Sequence, residues 1–101
     1  MKAVVDGTVV AEAPTADTVQ VEGNAYFPPT SLKAGALRDS STPYTCPWKG
    51  KAQYHDVLID DTVLRDAAWS YPGLLASAVD RVGRDFAGYV AFDTRQVRIE
   101  D

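Results

Sequence analysis

Hydrophobic and polar positions alternate with a period of two along most of this chain, and recur at helical spacing in one place only. Val4-Val5 and Val9-Val10 flank Asp6-Gly7, a strong short-range hairpin signal because both central residues accept positive φ. Pro14 stops the second strand, since it has no N–H to give to a ladder. Val19 and Val21 alternate with polar residues across Thr18–Glu22, the pattern of a half-buried strand. Gly23-Asn24 turns the chain into Ala25-Tyr26-Phe27, and Pro28-Pro29 ends pairing there. Thr30–Ala34 reads as one helical turn and Ala36–Arg38 as a short strand.

The stretch from Cys46 to Tyr71 holds both tryptophans, the single cysteine and the single histidine. It reads as a hairpin turning at Asp60-Asp61, in which opposed residue numbers sum to a constant. Tyr54 then faces Ala67, Ala52 faces Trp69 and Gly50 faces Tyr71, each ring opposite a small residue. Asp56 meets Arg65, His55 meets Asp66 and Val57 meets Leu64. This register places Trp48, Tyr54, Trp69 and Tyr71 on one face and Lys49, Lys51, Gln53 and His55 on the other. An aromatic face is more often core than pocket, yet Trp and Tyr carry polar tips that need partners when buried, so an aromatic-lined cleft stays open as a second reading. Ahead of it, Asp39–Thr45 is a polar loop, either a connector or a flap over that face.

Pro72-Gly73 breaks the pattern. Leu74, Leu75, Ala78, Val79 and Val82 then repeat at helical spacing, predicting one helix near residues 74–82 that ends at Gly83. Gly88–Phe92 follows as a buried strand. Thr94-Arg95 is expected to turn it back into Gln96–Ile99, pairing Phe92 with Val97 and Val90 with Ile99. The fold class is mainly β (α+β), one domain over residues 1–101.

Composition narrows the function. The net charge is −4 with 46% hydrophobic and 24% charged residues, ordinary for a soluble domain and long enough to bury a core without disulfide or metal. No basic block is present, so nucleic acid and anionic membranes are not the expected partners. One cysteine forms no internal disulfide, no apolar run approaches the ~18 residues of a membrane span, and Met1–Asp6 lacks a signal-peptide apolar region. A cytoplasmic location is the expectation.

Several segments in fixed order then carry a resemblance: Val21-Glu22-Gly23-Asn24 with Tyr26-Phe27-Pro28, Cys46-Pro47-Trp48-Lys49-Gly50 with Ala52 and Tyr54, Asp66-Ala67-Ala68-Trp69-Ser70-Tyr71-Pro72, and Gly88-Tyr89-Val90-Ala91-Phe92. Together they resemble domain-of-unknown-function family number 427, found in bacteria and fungi, across the whole chain. The resemblance implies small antiparallel sheets or a barrel of the β-tent kind with one helix, and carries no established chemistry. The family is sometimes labelled nucleotidyltransferase-like, but this chain has no Gly-rich phosphate loop and no Gly-Ser followed by paired carboxylates for magnesium. The structural zinc of other β-tent domains needs two Cys-x-x-Cys knuckles and is out of reach for one Cys.

Candidate chemistry is sparse. Cys46 with His55 suggests a thiolate–imidazole pair, but seven extended steps of ~3.3 Å from Trp48 to His55 span roughly 23 Å, which favours a buried thiol. Lys49 beside it could lower the thiol pKa or anchor an anionic group; it could equally be a solvated strand lysine. His55 opposite Asp66 is either an oriented general base or an ordinary cross-strand pair. No metal or other cofactor is expected. The preferred reading is a module in which Tyr44, Cys46, Trp48, Lys49, Tyr54, Trp69 and Tyr71 surround a cleft for a small molecule or extended peptide. The alternatives are a small enzyme using Cys46 with His55 or Asp66, and a structural homo-oligomer; monomer and homodimer both remain open.

Overall fold

The computed structural model describes residues 1–101. Strands β1 (Lys2–Val5) and β2 (Thr8–Glu12) close the first hairpin, with Asp6 and Gly7 at φ of 46° and 80°, as a tight turn between right-twisting strands requires. Strands β3 (Val19–Val21) and β4 (Asn24–Tyr26) form the second. Its turn is Glu22-Gly23, both at positive φ, one residue ahead of the expected Gly23-Asn24. A single 3₁₀ turn at Pro29–Ser31 follows, then β5 (Leu37–Asp39), close to where the sequence pattern put them. Two-residue strands β6 (Thr45–Cys46) and β7 (Gly50–Lys51) precede the long hairpin β8 (Gln53–Ile59) and β9 (Thr62–Ser70). Helix α1 (Ala76–Val82) lies within the predicted span, and Gly83 ends it with its N–H on Val79 O at 2.8 Å. Strands β10 (Val90–Phe92) and β11 (Arg98–Glu100) complete the chain.

All pairings are antiparallel, in four small sheets ordered β11-β1-β2, β10-β9-β8-β5, β3-β4 and β6-β7. None closes into a barrel, and the fold is mainly β with one short helix. The expected hairpin between the last two strands does not form. Asp93 O accepts the N–H groups of both Gln96 and Val97 at 2.9 Å. That single turn swings the chain out of its sheet, so β10 pairs with β9 while β11 crosses to β1.

The register of β8 against β9 changes midway. Near the turn Val57 faces Leu64 and Ile59 faces Thr62, as the Asp60-Asp61 turn predicts, but beyond it His55 faces Ala68 and Tyr54 faces Trp69. Residues 65–67 of β9 therefore lie opposite Asp56 alone, a bulge with two extra residues. Asp66 sits in it at φ 50°, and Asp56 holds it there: one carboxylate oxygen accepts the Asp66 N–H at 2.9 Å and the other binds Arg38 at 3.0 Å. These contacts hold the Asp56 carboxyl below the usual carboxylate range, the Asp66 amide contributing most and Arg38 next. The expected pairs His55–Asp66 and Tyr54–Ala67 are thus displaced by two positions, and Asp56 faces the bulge instead of pairing with Arg65 alone. A shift of two preserves the alternation of faces, so Tyr54 and Trp69 still share one, with ring centroids 6.4 Å apart.

Two cores result. The larger packs Ala3, Val5, Val10, Ala11, Phe27, Val57, Ala68, Val90, Phe92 and Val97 between the three- and four-stranded sheets. The smaller lies on the other face of β9 and gathers Val19, Val21, Tyr26, Cys46, Ala52, Tyr71, Phe86 and Ala91. Trp48, Trp69, Leu74, Val82 and Tyr89 pack against its rim. Adjacent residues Tyr26 and Phe27 put one ring into each.

Candidate functional site

The segment Cys46-Pro47-Trp48-Lys49-Gly50 is a tight loop rather than an extended strand: Cys46 pairs directly with Gly50, and Thr45 with Lys51. Gly50 takes φ 107° against the approach to α1, where a Cβ would stand 3.3 Å from Leu75 Cγ, so no larger residue fits without displacing that side chain. Leu75 N–H donates to Lys49 O at 3.1 Å, tying the start of the helix to the loop.

This loop reverses the expected facing of Lys49. Its side chain shares the side of Trp48, and the residue is only 5% exposed. The ammonium lies 4.6 Å from the Trp48 ring centroid and 5.3 Å from that of Tyr71, and forms an ion pair with Glu22. Arg81 stacks over Trp48 at 4.3 Å. Trp69 Nε1 donates to the Tyr26 hydroxyl at 3.0 Å, and Tyr26 packs on Phe86 at 5.0 Å. Cys46 is also 5% exposed. Burial pushes its thiol up, but the nearby backbone amides of Trp48 and Lys49 and the Lys49 charge outweigh it and leave the pKa below that of a free thiol. Glu22 and Arg81 escaped sequence reasoning because each reaches the loop from a distant element.

The same packing makes an alkaline prediction. Burial raises the pKa of both Tyr26 and Tyr71. Burial lowers that of Lys49, but its bond to Glu22 and neighbouring charges raise it more, for a net upward shift. A group whose folded pKa is raised contributes stability that is complete below its unfolded value and is lost as pH climbs through the folded one. Stability should therefore fall above about pH 10, by up to ~1.4 kcal/mol per pH unit for each group. Tyr71→Phe removes one titrating hydroxyl, and denaturant midpoints measured from pH 8 to 11 should decline less steeply for that variant. An equal decline would clear Tyr71 of the effect.

The three proposed catalytic residues are not joined: no hydrogen bond connects Cys46, His55 and Asp66 to one another. His55 instead bridges two residues that the sequence pattern did not single out. Its Nδ1 lies 3.0 Å from Asp39 Oδ1 and its Nε2 2.9 Å from Ser70 Oγ. The order carboxylate–imidazole–hydroxyl is that of a nucleophilic triad. Its orientation to solvent is inverted, however. Ser70 is 4% exposed while the Asp39 side chain is 77% exposed, so a substrate carbonyl meets the acid end of the chain and not the hydroxyl. The contact locks β5, β8 and β9 together. Asp39 could not be anticipated, because its place beside His55 depends on the non-local β5–β8 pairing.

An open groove of about 330 Å³ lies on the other side of the bulge. It is lined by Thr42, Pro43 and Tyr44 ahead of β6, Tyr54 of β8, Arg65 and Asp66 of β9, and Asp93, Arg95 and Gln96 after β10. The loop expected over Asp39–Thr45 begins in β5 and ends in β6, and its residues Thr42, Pro43 and Tyr44 border this groove. It is pinned by Thr42 Oγ1 donating to Asp66 Oδ2 at 2.7 Å. Asp66 Oδ1 is buried and has no hydrogen-bond partner, the one such side-chain atom in the protein. Asp93 is engaged by Arg95 at 3.0 and 3.2 Å and by Gln96 at 3.1 Å. The Arg95 guanidinium, chiefly, holds the Asp93 carboxyl at about 2. A larger hollow of about 450 Å³ between the β1–β2 turn and Leu64 holds no unpartnered buried side-chain atom. Of the seven residues expected around a cleft, Tyr44 and Tyr54 line this groove, Cys46, Trp48, Trp69 and Tyr71 belong to the second core and its rim, and Lys49 lies against the Trp48 and Tyr71 rings there. No group of three or more His, Cys, Asp or Glu side chains is placed to hold a metal ion, and no helix is long and apolar enough to cross a membrane.

The architecture defines a small mainly-β domain with a polar groove beside a strand bulge. Comparison with protein families is specific: the family model for a domain of unknown function, DUF427, matches residues 1–101, and the chain belongs to that family. No curated protein matches it.

Proposed function

We propose that this protein is a ligand-binding module and that its binding face is the groove between the 40–45 loop and the β9 bulge. The observation that carries this reading is the open groove itself, lined by the exposed ring of Tyr44 with Tyr54 and four charged side chains. Tyr44 and Tyr54 supply aromatic walls, the apolar area expected of a small-molecule or extended-peptide site. Tyr44 is 48% exposed, so a ligand has area to cover there.

A thiol enzyme is the weaker reading. The lowered Cys46 pKa favours it, but the thiol is closed to solvent and the acid–base partners proposed for it are engaged elsewhere. The homo-oligomer reading rests on Tyr44, Val63 and Leu75 as the exposed large apolar side chains, which come from three separate segments.

Two-dimensional amide NMR of isotopically labelled protein against a metabolite library tests the proposal. Ligand-induced shifts should gather at Thr42, Tyr44, Tyr54, Asp66 and Arg95. Tyr44→Ala should weaken a hit by roughly 1–2 kcal/mol and change stability by less than about 0.5 kcal/mol, as at other exposed positions. Shifts confined to the Cys46–Gly50 loop, or none with any compound, would sink the idea.

A further inference from the structure

We infer that the free edge of β11 pairs antiparallel with the same edge of a second copy of this chain, about a two-fold axis through Ile99. Two other outer edges of the fold are already covered. Val10 O on β2 accepts the Lys33 N–H at 2.8 Å and Ala11 meets Leu32, and Val90 on β10 exchanges two hydrogen bonds with Phe27. Strand β11 is outermost in its sheet and pairs with β1 alone. It carries neither proline nor bulge, two of the devices that keep an edge from pairing. Its backbone groups are also turned the right way. Ala13 N–H donates to Met1 O at 3.1 Å across β2 and β1. Bonding alternates along an antiparallel strand, so Lys2 turns its N–H and C=O toward Glu100 of β11, and Ile99 turns its own outward. Two Ile99 residues facing each other across the axis exchange both of those bonds.

The charge pattern selects a second copy as the partner. Glu12, Lys2 and Glu100 stand side by side on one face of β2, β1 and β11, with Lys2 and Glu12 4.0 Å apart. The row runs negative, positive, negative, and a strand added beyond Glu100 continues it with a cation. Antiparallel pairing about Ile99 puts Arg98 of the second copy there, and the two-fold repeats the match at the other crossed position. Arg98 already pairs with Glu100 along its own strand. The dimer keeps that pair and adds the crossed ones, a ring of four alternating charges. On the opposite face the two Ile99 side chains, each packed against its own larger core, become neighbours, and two three-stranded sheets join into one of six strands. Strand β5 is also outermost in its sheet, but a two-fold at its middle residue would oppose Arg38 to Arg38, and like charges directly opposite are destabilising.

The shared edge is three residues long, short of the ~1,200 Å² at which standard specific interfaces begin. Association should therefore be weak, with a dissociation constant on the order of 0.1–1 mM. Sedimentation equilibrium of the intact chain and amide NMR on dilution read it. The wild-type protein should dimerise, with concentration-dependent shifts gathered at residues 97–101. Arg98→Glu and Glu100→Arg each set like charges together at both crossed positions, and each variant alone should self-associate about tenfold or more weakly. Both side chains are exposed, so both variants should fold. Mixed in equal amounts, the two variants should form a heterodimer about as tight as the wild-type dimer, because every crossed position then joins opposite charges. Loss of the Arg98–Glu100 pair within each chain would not produce that recovery. A wild-type protein that stays monomeric at about 1 mM, a dimer indifferent to either substitution, or a mixture that fails to recover association overturns the proposal. So does an Ile99 amide whose hydrogen exchange is slowed equally at every dilution, since something other than a second copy would then hold the edge.

Discussion

Phe27→Ala should lower the stability of this domain by about 3–5 kcal/mol, the cost of emptying a buried phenylalanine site. The ring is fully buried and meets Phe92 edge to face at a centroid distance of 5.7 Å. Its backbone exchanges two hydrogen bonds with Val90, at 2.8 and 2.9 Å, the point where the end of β4 meets β10. Tyr26, one residue earlier, fills the other core. The backbone is held on both sides of the missing ring, so the surroundings have little freedom to collapse into the space. For a chain of this length the melting temperature should fall on the order of 15–30 °C, read by circular dichroism together with a urea midpoint. A loss under about 1 kcal/mol would mean that the two cores are joined by something other than this pair.

Glu22→Gln should destabilise the protein more than Lys49→Met does, although the lysine is the buried member of the pair. Removing the carboxylate charge leaves an ammonium in a site 5% exposed, facing two aromatic rings and no anion. Breaking such a pair from one side costs about 3–5 kcal/mol when both members are buried. The Glu22 side chain is 56% exposed, so water can partly replace it, and about 1–3 kcal/mol is the expected loss. Lys49→Met removes the charge and keeps the length of the side chain. Replacing a buried ion by an apolar isostere is often neutral or stabilising, so its change should stay within about 1 kcal/mol. The double variant should resemble Lys49→Met alone, because Glu22 has nothing left to neutralise. Urea midpoints of the three proteins decide the matter. The reverse order would show that the ammonium contributes more through Trp48 and Tyr71 than its desolvation takes away.

The parts of the fold readable in the sequence were those governed by neighbours. Asp6-Gly7 marks its hairpin by turn chemistry, Gly83 marks the end of α1, and the run of alternating residues around Trp69 marks the face that Tyr54 shares. What escaped depends on distant contacts. The bulge at residues 65–67 bears no glycine, and Asp66 keeps its positive φ because Asp56 accepts its N–H; nothing local distinguishes it from an ordinary strand aspartate. Lys49 was placed on the face opposite the aromatics by alternation, a rule that fails where Cys46 and Gly50 close a tight loop. Of the groove, Tyr44 and Tyr54 were legible as aromatics on the loop and the strand that line it. Arg65 was paired with Asp56 by extrapolating an uninterrupted register, and the walls formed by Asp93, Arg95 and Gln96 required knowing that the chain leaves its sheet after Phe92.

The bulge also makes the long hairpin count in twos. From Ile59–Thr62 at one end to Gln53–Ser70 at the other, it is a regular hairpin interrupted by a two-residue parenthesis. Excising Arg65 and Asp66, and keeping the buried Ala67, would let every outer pair close again with its side chains facing as before. Excising one would turn residues 68–70 inside out, sending Trp69 toward the Ala- and Val-lined side and Ser70 away from His55. Changes of length at this point should therefore be tolerated only in even steps, and the even step that shortens the strand removes two charged residues that line the groove while leaving both cores intact.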